Sequence, residues 1–290
     1  MNEMVMPQTE LPSFAIIEHA MHHVRNKSSG LPIARDCAIT INFHPDVLHG
    51  DELVIEALAR DGAYRSQFET GISNGAMSVH QDSGRLLWES RIFGGAYDSA
   101  EAKARPKYGA LNNQQIAVGG SPRFGSAHLR LRPDVLDRAT FCYPDSHLDP
   151  QHFGVADKMG LLEAVRPVDE PLDHYVEAQI HGAIDLSDDV SAIVLDPSFR
   201  NSAVERHAHN LGCPVEWHPG FSMPESKLAY CGAYRGERIA ELAASLFDGP
   251  NLTPACIAKA RKSRLADLQD LKRVWHCVAR FGSPVSFQFP

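Results

Sequence analysis

Residues 175–182 read Tyr-Val-Glu-Ala-Gln-Ile-His-Gly, a strict alternation that a helix of period 3.6 would scatter and that a strand of period two keeps in register. Tyr175, Glu177, Gln179 and His181 share one face, and Val176, Ala178 and Ile180 share the other. The next polar turn leads into Val-Ser-Ala-Ile-Val-Leu at 190–195, apolar enough for the interior of a sheet. Glu177 is therefore expected on a sheet surface beside a cleft. The same division recurs at 38–44, with Thr40, Asn42 and His44 against Ile39, Ile41 and Phe43. At 63–69 it sets Arg65, Gln67 and Glu69 against Tyr64, Ser66 and Phe68, and at 124–132 it sets Ser126, His128 and Arg130 against Ala127, Leu129 and Leu131. Four such strands from remote segments predict a shared polar groove.

Helical spacing of apolar residues marks 12–26, 51–59, 201–211, 234–247 and 259–281. The glycine-rich stretch 71–125 reads as an extended loop whose Trp88, Phe93, Tyr97 and Tyr108 form an ordered binding wall. At 290 residues the expectation is a single α+β domain over 1–290. It has an N-terminal helical segment (1–36), a core (37–200) and a C-terminal helical extension (201–290).

A net charge of −8 offers no footprint for duplex nucleic acid. Six cysteines without a C-x-x-C pair suit free thiols in a reducing compartment. Residues 1–12 carry no secretory pattern, and no apolar run reaches membrane-spanning length. A cytoplasmic protein is expected, with export as an effector left open because dedicated export machines do not require such a signal.

Walker A, G-x-G-x-x-G, H-E-x-x-H and G-x-S-x-G patterns are absent, which disfavours P-loop, Rossmann, zincin and common serine-hydrolase chemistry. Fifteen histidines suggest His207, His209 and His218 as a metal set, but their spacing is weak and no metal is expected. The strongest constellation is Tyr-Arg-Ser-Gln-Phe-Glu-Thr-Gly-Ile-Ser-Asn-Gly at 64–75. Arg65 would grip phosphate oxygens with its planar fork, beside Gln67, while Thr70, Gly71, Ser73 and Asn74 would supply loop contacts. An ordinary ion pair from Arg65 to Asp61 or Glu69 is the alternative.

The segments 64–71, Phe-Gly-Gly-Ala-Tyr-Asp at 93–98, Arg-Pro-Lys-Tyr-Gly-Ala-Leu-Asn at 105–112, Ser-Pro-Arg-Phe-Gly-Ser at 121–126 and the strand at 175–182 resemble the bacterial family called domain of unknown function 3626. More distantly, Phe124 to Phe141, then Asp145-Ser146, then a strand-borne glutamate, is similar to toxin-like ADP-ribosyltransferase domains. That second resemblance implies a split antiparallel β-sheet core with covering helices at both ends, and NAD+ as substrate. It also implies transfer of ADP-ribose to an acceptor, a protein among the candidates. Arg65 matches the family's first motif position, Ser126 the middle one with Tyr108 as a rival, and Glu177 the last. Tyr175 stands where arginine-modifying branches carry Glu or Gln, so arginine is not favoured as acceptor.

On this reading Glu177 stabilises the ribosyl cation, Ser126 holds the carboxylate, Gln179 and His181 orient the acceptor, and Phe68, Tyr97 or Tyr108 stacks on nicotinamide, Phe68 being the weakest of the three because it faces away from Arg65 in an ideal strand. Two other classes compete. One is a hydrolase or nuclease-like toxin using His44, His128 or His181 with Glu177 or Asp46, and the other is a nucleotide-binding module without turnover.

Overall fold

The computed structural model describes residues 13–71, 84–166 and 168–285. Helix α1 (Ser13–Arg25) precedes strand β1 (Ala38–Phe43), a ribbon of β2 (Leu48–His49) and β3 (Glu52–Leu53), and helices α2 (Val54–Asp61), α3 (Gln67–Thr70) and α4 (Gly84–Phe93). Strands β4 (Lys107–Asn112), β5 (Ala127–Leu131), β6 (Ala139–Tyr143), β7 (His152–Val155), β8 (Val176–Ile180) and β9 (Val190–Leu195) follow. Next come α5 (Ala203–Ala208), β10 (Val215–Trp217), β11 (Met223–Pro224), α6 (Leu228–Arg235) and α7 (Glu237–Ser245). The chain then runs through β12 (Asn251–Leu252), α8 (Pro254–Lys262) and α9 (Leu268–Phe281).

The architecture is α+β. Eight strands hydrogen-bond in one continuous order, β10-β9-β5-β1-β4-β8-β6-β7, where a split sheet was expected. Among the described strands, only β9 and β10 pair in parallel. In the middle of this sheet β8 lies between β4 and β6, with Glu177 opposite both Ala110 and Cys142. Val176, Ala178 and Ile180 point into the main core with Leu129, Phe141 and Ile193. The polar face is also covered, because α1 and α4 pack Ile16, Ala20, Trp88 and Phe93 against Cys142 and Val155. A third apolar cluster joins α6 to α9.

Several expected elements differ. Residues 63–69 are not a strand: Ser66 caps α3, accepting from Glu69 N, while the Glu69 carboxylate accepts from Ser66 N. This reciprocal capping box satisfies two backbone donors locally, and it outweighs the period-two pattern. Gly71 ends the turn at φ 66°, a conformation that suits glycine. The stretch 71–125 contains α4 and β4 rather than loop alone, and β6 and β7 were not anticipated. Residues 234–247 divide at Gly236, φ 93°, and 259–281 divides into α8 and α9, the second capped by Asp267.

Cys231 and Cys277 are disulfide-bonded, linking α6 to α9 across a Cα separation of 5.4 Å. The expectation of six free thiols fails at this pair, because residues 46 apart in sequence meet only once the helices pack. Cys37, Cys142, Cys213 and Cys256 are free. No helix among the described residues is long and apolar enough to cross a membrane.

Candidate functional site

A cavity of about 370 Å³ opens between the end of β1, α2, the α3 turn, α4, the central strands and α9. That size lies in the range of small-molecule sites, ~300–1,000 Å³. Glu177 lines it from the middle of the sheet. Its Oε2 accepts from Ser146 Oγ at 2.9 Å, and its Oε1 accepts from Gln179 Nε2 at 3.0 Å. Gln179 is in turn held by Thr140 Oγ1, which donates to its Oε1 at 2.8 Å. Burial first, and then the negative charge of Asp145, push the Glu177 carboxyl up to about 6, against the opposing effects of Arg85, Gln179 and Ser146.

The wall beside Glu177 is aromatic and cationic. Tyr175 donates its hydroxyl to Asp145. Tyr108, on β4, donates to Glu89 Oε1 at 2.6 Å, and the other oxygen of Glu89 accepts from Arg105 Nη1 at 2.6 Å. The guanidinium of Arg85 lies 4.4 Å from the centre of the Tyr108 ring. Although Arg85 is buried, its Nε and Nη1 find no hydrogen-bond partner among the described residues. Such a group has donors that could meet ligand oxygens.

Arg65, Gln67, Thr70, Tyr108 and Glu177 come together on this cavity. Arg65 is half-exposed and pairs through Nε with Asp61 Oδ2 at 2.8 Å. It stands in the irregular segment before α3 and not on a strand. Gln67 presents a buried Oε1 with no hydrogen-bond partner among the described residues. Gly71 serves as the C-cap of α3, and Ser73 and Asn74 lie outside the described residues.

Other candidates are displaced. Ser126 does not hold Glu177: β5 is separated from β8 by β1 and β4, so three strand spacings, about 14 Å, intervene. Its carbonyl instead accepts from His218 Nε2 at 2.8 Å. Ser146 occupies the role foreseen for it. His181 is buried away from the cavity, bonded through Nδ1 to Tyr97 OH at 2.7 Å, and burial pushes it down to about 3. Placed there, His181 does not reach the cavity where an acceptor would lie. Tyr97 is fully buried against Phe93 and His181, so it offers no face to a nicotinamide ring. Gln179 also lies behind the cavity surface and touches Glu177, making it a positioning residue.

Among the other histidines, His128 is buried outside the cavity and pushed down to about 3 by burial. His44 lines the cavity edge-on to Trp275, ring centres 5.0 Å apart, and burial holds it well below its usual range. Asp46 is committed to Arg261. No group of three or more His, Cys, Asp or Glu side chains among the described residues is placed to hold a metal ion.

Arg85, Ser146 and the α9 residues Lys272, Arg273 and His276 were missed by sequence reasoning, yet all line the cavity. Ser146 carried a signal in the Asp145-Ser146 pair, and α9 carried one in the polar stripe opposite its apolar face. Arg85 had none, because its helix lay inside a stretch read as loop.

Gene 2 protein of Mycobacterium phage D29 is 25% identical over 191 residues, spanning 56% of this chain and 68% of the phage protein. The family described as Protein of unknown function (DUF3626) matches residues 38–166 and 159–281. With nearly the whole sheet and the helices around the cavity inside those matches, the chain belongs to the DUF3626 family.

Proposed function

We propose that this cavity binds NAD+ and that Glu177 assists cleavage of the nicotinamide–ribose bond, with transfer of ADP-ribose to an acceptor. The observation that carries the reading is a strand-borne carboxylate fixed by Ser146 and Gln179 on a cavity that also presents Arg85. The resemblance to ADP-ribosyltransferase domains supports it, and an ADP-ribosyltransferase-like arrangement of the sheet belongs to the same proposal. When the bond breaks, nicotinamide leaves with the electron pair and the ribose ring gains positive charge. An ionised Glu177 facing that ring stabilises the transition state more than the ground state. The acceptor's lone pair then closes on the same carbon, and its proton passes to solvent. Tyr108 and Tyr175 offer rings for the base, while Arg85 and Arg65 address the diphosphate.

Incubating the protein separately with NAD+ and with nucleic acid discriminates between the readings. The account expects NAD+ to be consumed and nucleic acid to remain intact. Consumption of nucleic acid with NAD+ untouched would replace this assignment with the hydrolase reading, although His128 and His181 lie outside the cavity.

A further inference from the structure

A second wall of the cavity has no task in the chemistry at Glu177. Helix α9 buries Leu271, Val274, Trp275 and Val278 in the C-terminal core. Its other stripe, Gln269, Lys272, Arg273 and His276, lines the cavity at the three-, four- and seven-residue spacing that keeps side chains on one helix face. Arg123 and Arg235 join them from the turn before β5 and from the end of α6. The turn is tied down by Trp275, whose Nε1 donates to the carbonyls of Pro122 and Arg123, each at 3.1 Å.

His276 occupies the centre of this wall. It is 5% exposed, and neither ring nitrogen finds a hydrogen-bond partner among the described residues. Burial, with the charges of Arg123, Arg235, Lys272 and Arg273, depresses its pKa to about 3, so the ring is neutral and carries one N–H. A buried donor left unsatisfied disfavours the folded state. Some of the surrounding charge is balanced, since Arg123 pairs with Asp173, Arg235 with Glu170 at 3.8 Å, and Arg273 with Asp270 at 3.1 Å. Six Lys and Arg side chains line the cavity with four carboxylates, and Glu170 and Asp270 stand behind the wall as partners of Arg235 and Arg273. A ligand with several anionic oxygens would satisfy the imidazole N–H while lying within the field of these guanidinium and ammonium groups.

We infer that the α9 wall is a phosphate-binding subsite, where His276, Lys272, Arg273, Arg123 and Arg235 receive the oxygens of a phosphoryl group. It shares the cavity with the proposed function but requires no chemistry from Glu177. The phosphoryl group belongs either to the dinucleotide or to a separate small phosphate-bearing ligand, and the two sources are separable by experiment.

Isothermal titration calorimetry at low salt, with inorganic pyrophosphate and ADP-ribose as probes, compares wild type, Glu177→Gln and the double variant Lys272→Gln/Arg273→Gln. Pyrophosphate is expected to bind Glu177→Gln at least as tightly as wild type, because that change removes a negative charge from the shared cavity, and to lose about tenfold or more in affinity in the double variant. A parallel loss for ADP-ribose assigns the phosphoryl group to the dinucleotide, whereas retained ADP-ribose affinity assigns it to a second ligand. Lys272 is half-buried and Arg273 exposed, so both replacements are compatible with folding. Independently of any variant, pyrophosphate should shift the ring nitrogen resonances of His276. Absence of binding at millimolar pyrophosphate, equal affinity in the double variant, or unmoved His276 resonances would each overturn the subsite.

Discussion

At Glu177 the carboxyl is raised from 4.5 to about 6 by burial and by Asp145, and this links the site to stability as well as to chemistry. A carboxyl whose pKa is higher in the folded state makes ionisation unfavourable for folding: the cost is absent below about pH 4.5 and complete above about pH 6, reaching about 2 kcal/mol. The melting temperature of Glu177→Gln should therefore gain on wild type between pH 4.5 and 7, and a constant difference would contradict the shift. On the proposed mechanism the ionised form does the work, so kcat/KM for NAD+ should climb about tenfold per pH unit below 6 and level off above it. A rate that falls over that range would make the protonated acid the working species. Arg85 and Arg65 differ by environment, since Arg65 shares its charge with Asp61 and is half-exposed. Arg85→Gln should weaken NAD+ binding about tenfold, and Arg65→Gln only a few-fold, by calorimetry. The reverse order would return the phosphate role to Arg65.

The α3 turn shows where local chemistry overrides pattern at the scale of an element. Ser66-x-x-Glu69 is a capping signature legible in the sequence, yet the same residues also alternate, and the alternation suggested a strand. Ser66 adds a tertiary bond, donating through Oγ to Ala102 O at 2.7 Å, which no sequence pattern discloses. Replacing Ser66 with Ala should cost about 1–2 kcal/mol in urea denaturation. It should also weaken NAD+ binding, because α3 carries Gln67 and Thr70 to the cavity. Unchanged stability would mean that the cap contributes nothing. Strands β1, β5, β8 and β9 were readable because apolar residues alternate or run without interruption. The break between α8 and α9 was not, because Leu265 and Leu268 continue a helical spacing across residues that turn instead.

For the whole molecule, what the sequence could not disclose is which strands become neighbours. Glu177 occupies a polar strand face as expected, whereas Ser126 falls in the bend just before β5; the order β5-β1-β4-β8 holds the two apart, and Ser146 meets the carboxylate instead. The same non-local packing buries the polar face of β8 under α1 and α4, turning Gln179 and His181 from ligand contacts into internal supports. Glu177 on a cavity was legible, since the alternation of its strand fixes the direction of its side chain; Tyr108 was expected on the wall but in a stretch read as loop, where the structure has β4. The α9 wall depends on a helix nearly 100 residues further along the chain and on the packing that brings it back. All of this converges on one claim, that the carboxylate at the centre of the sheet acts on NAD+. Free nicotinamide released from NAD+ by wild type and by Glu177→Gln under identical conditions tests it most directly. The account predicts measurable release by wild type and a loss of about 10²–10³-fold in the variant, whereas equal release by the two proteins would contradict it.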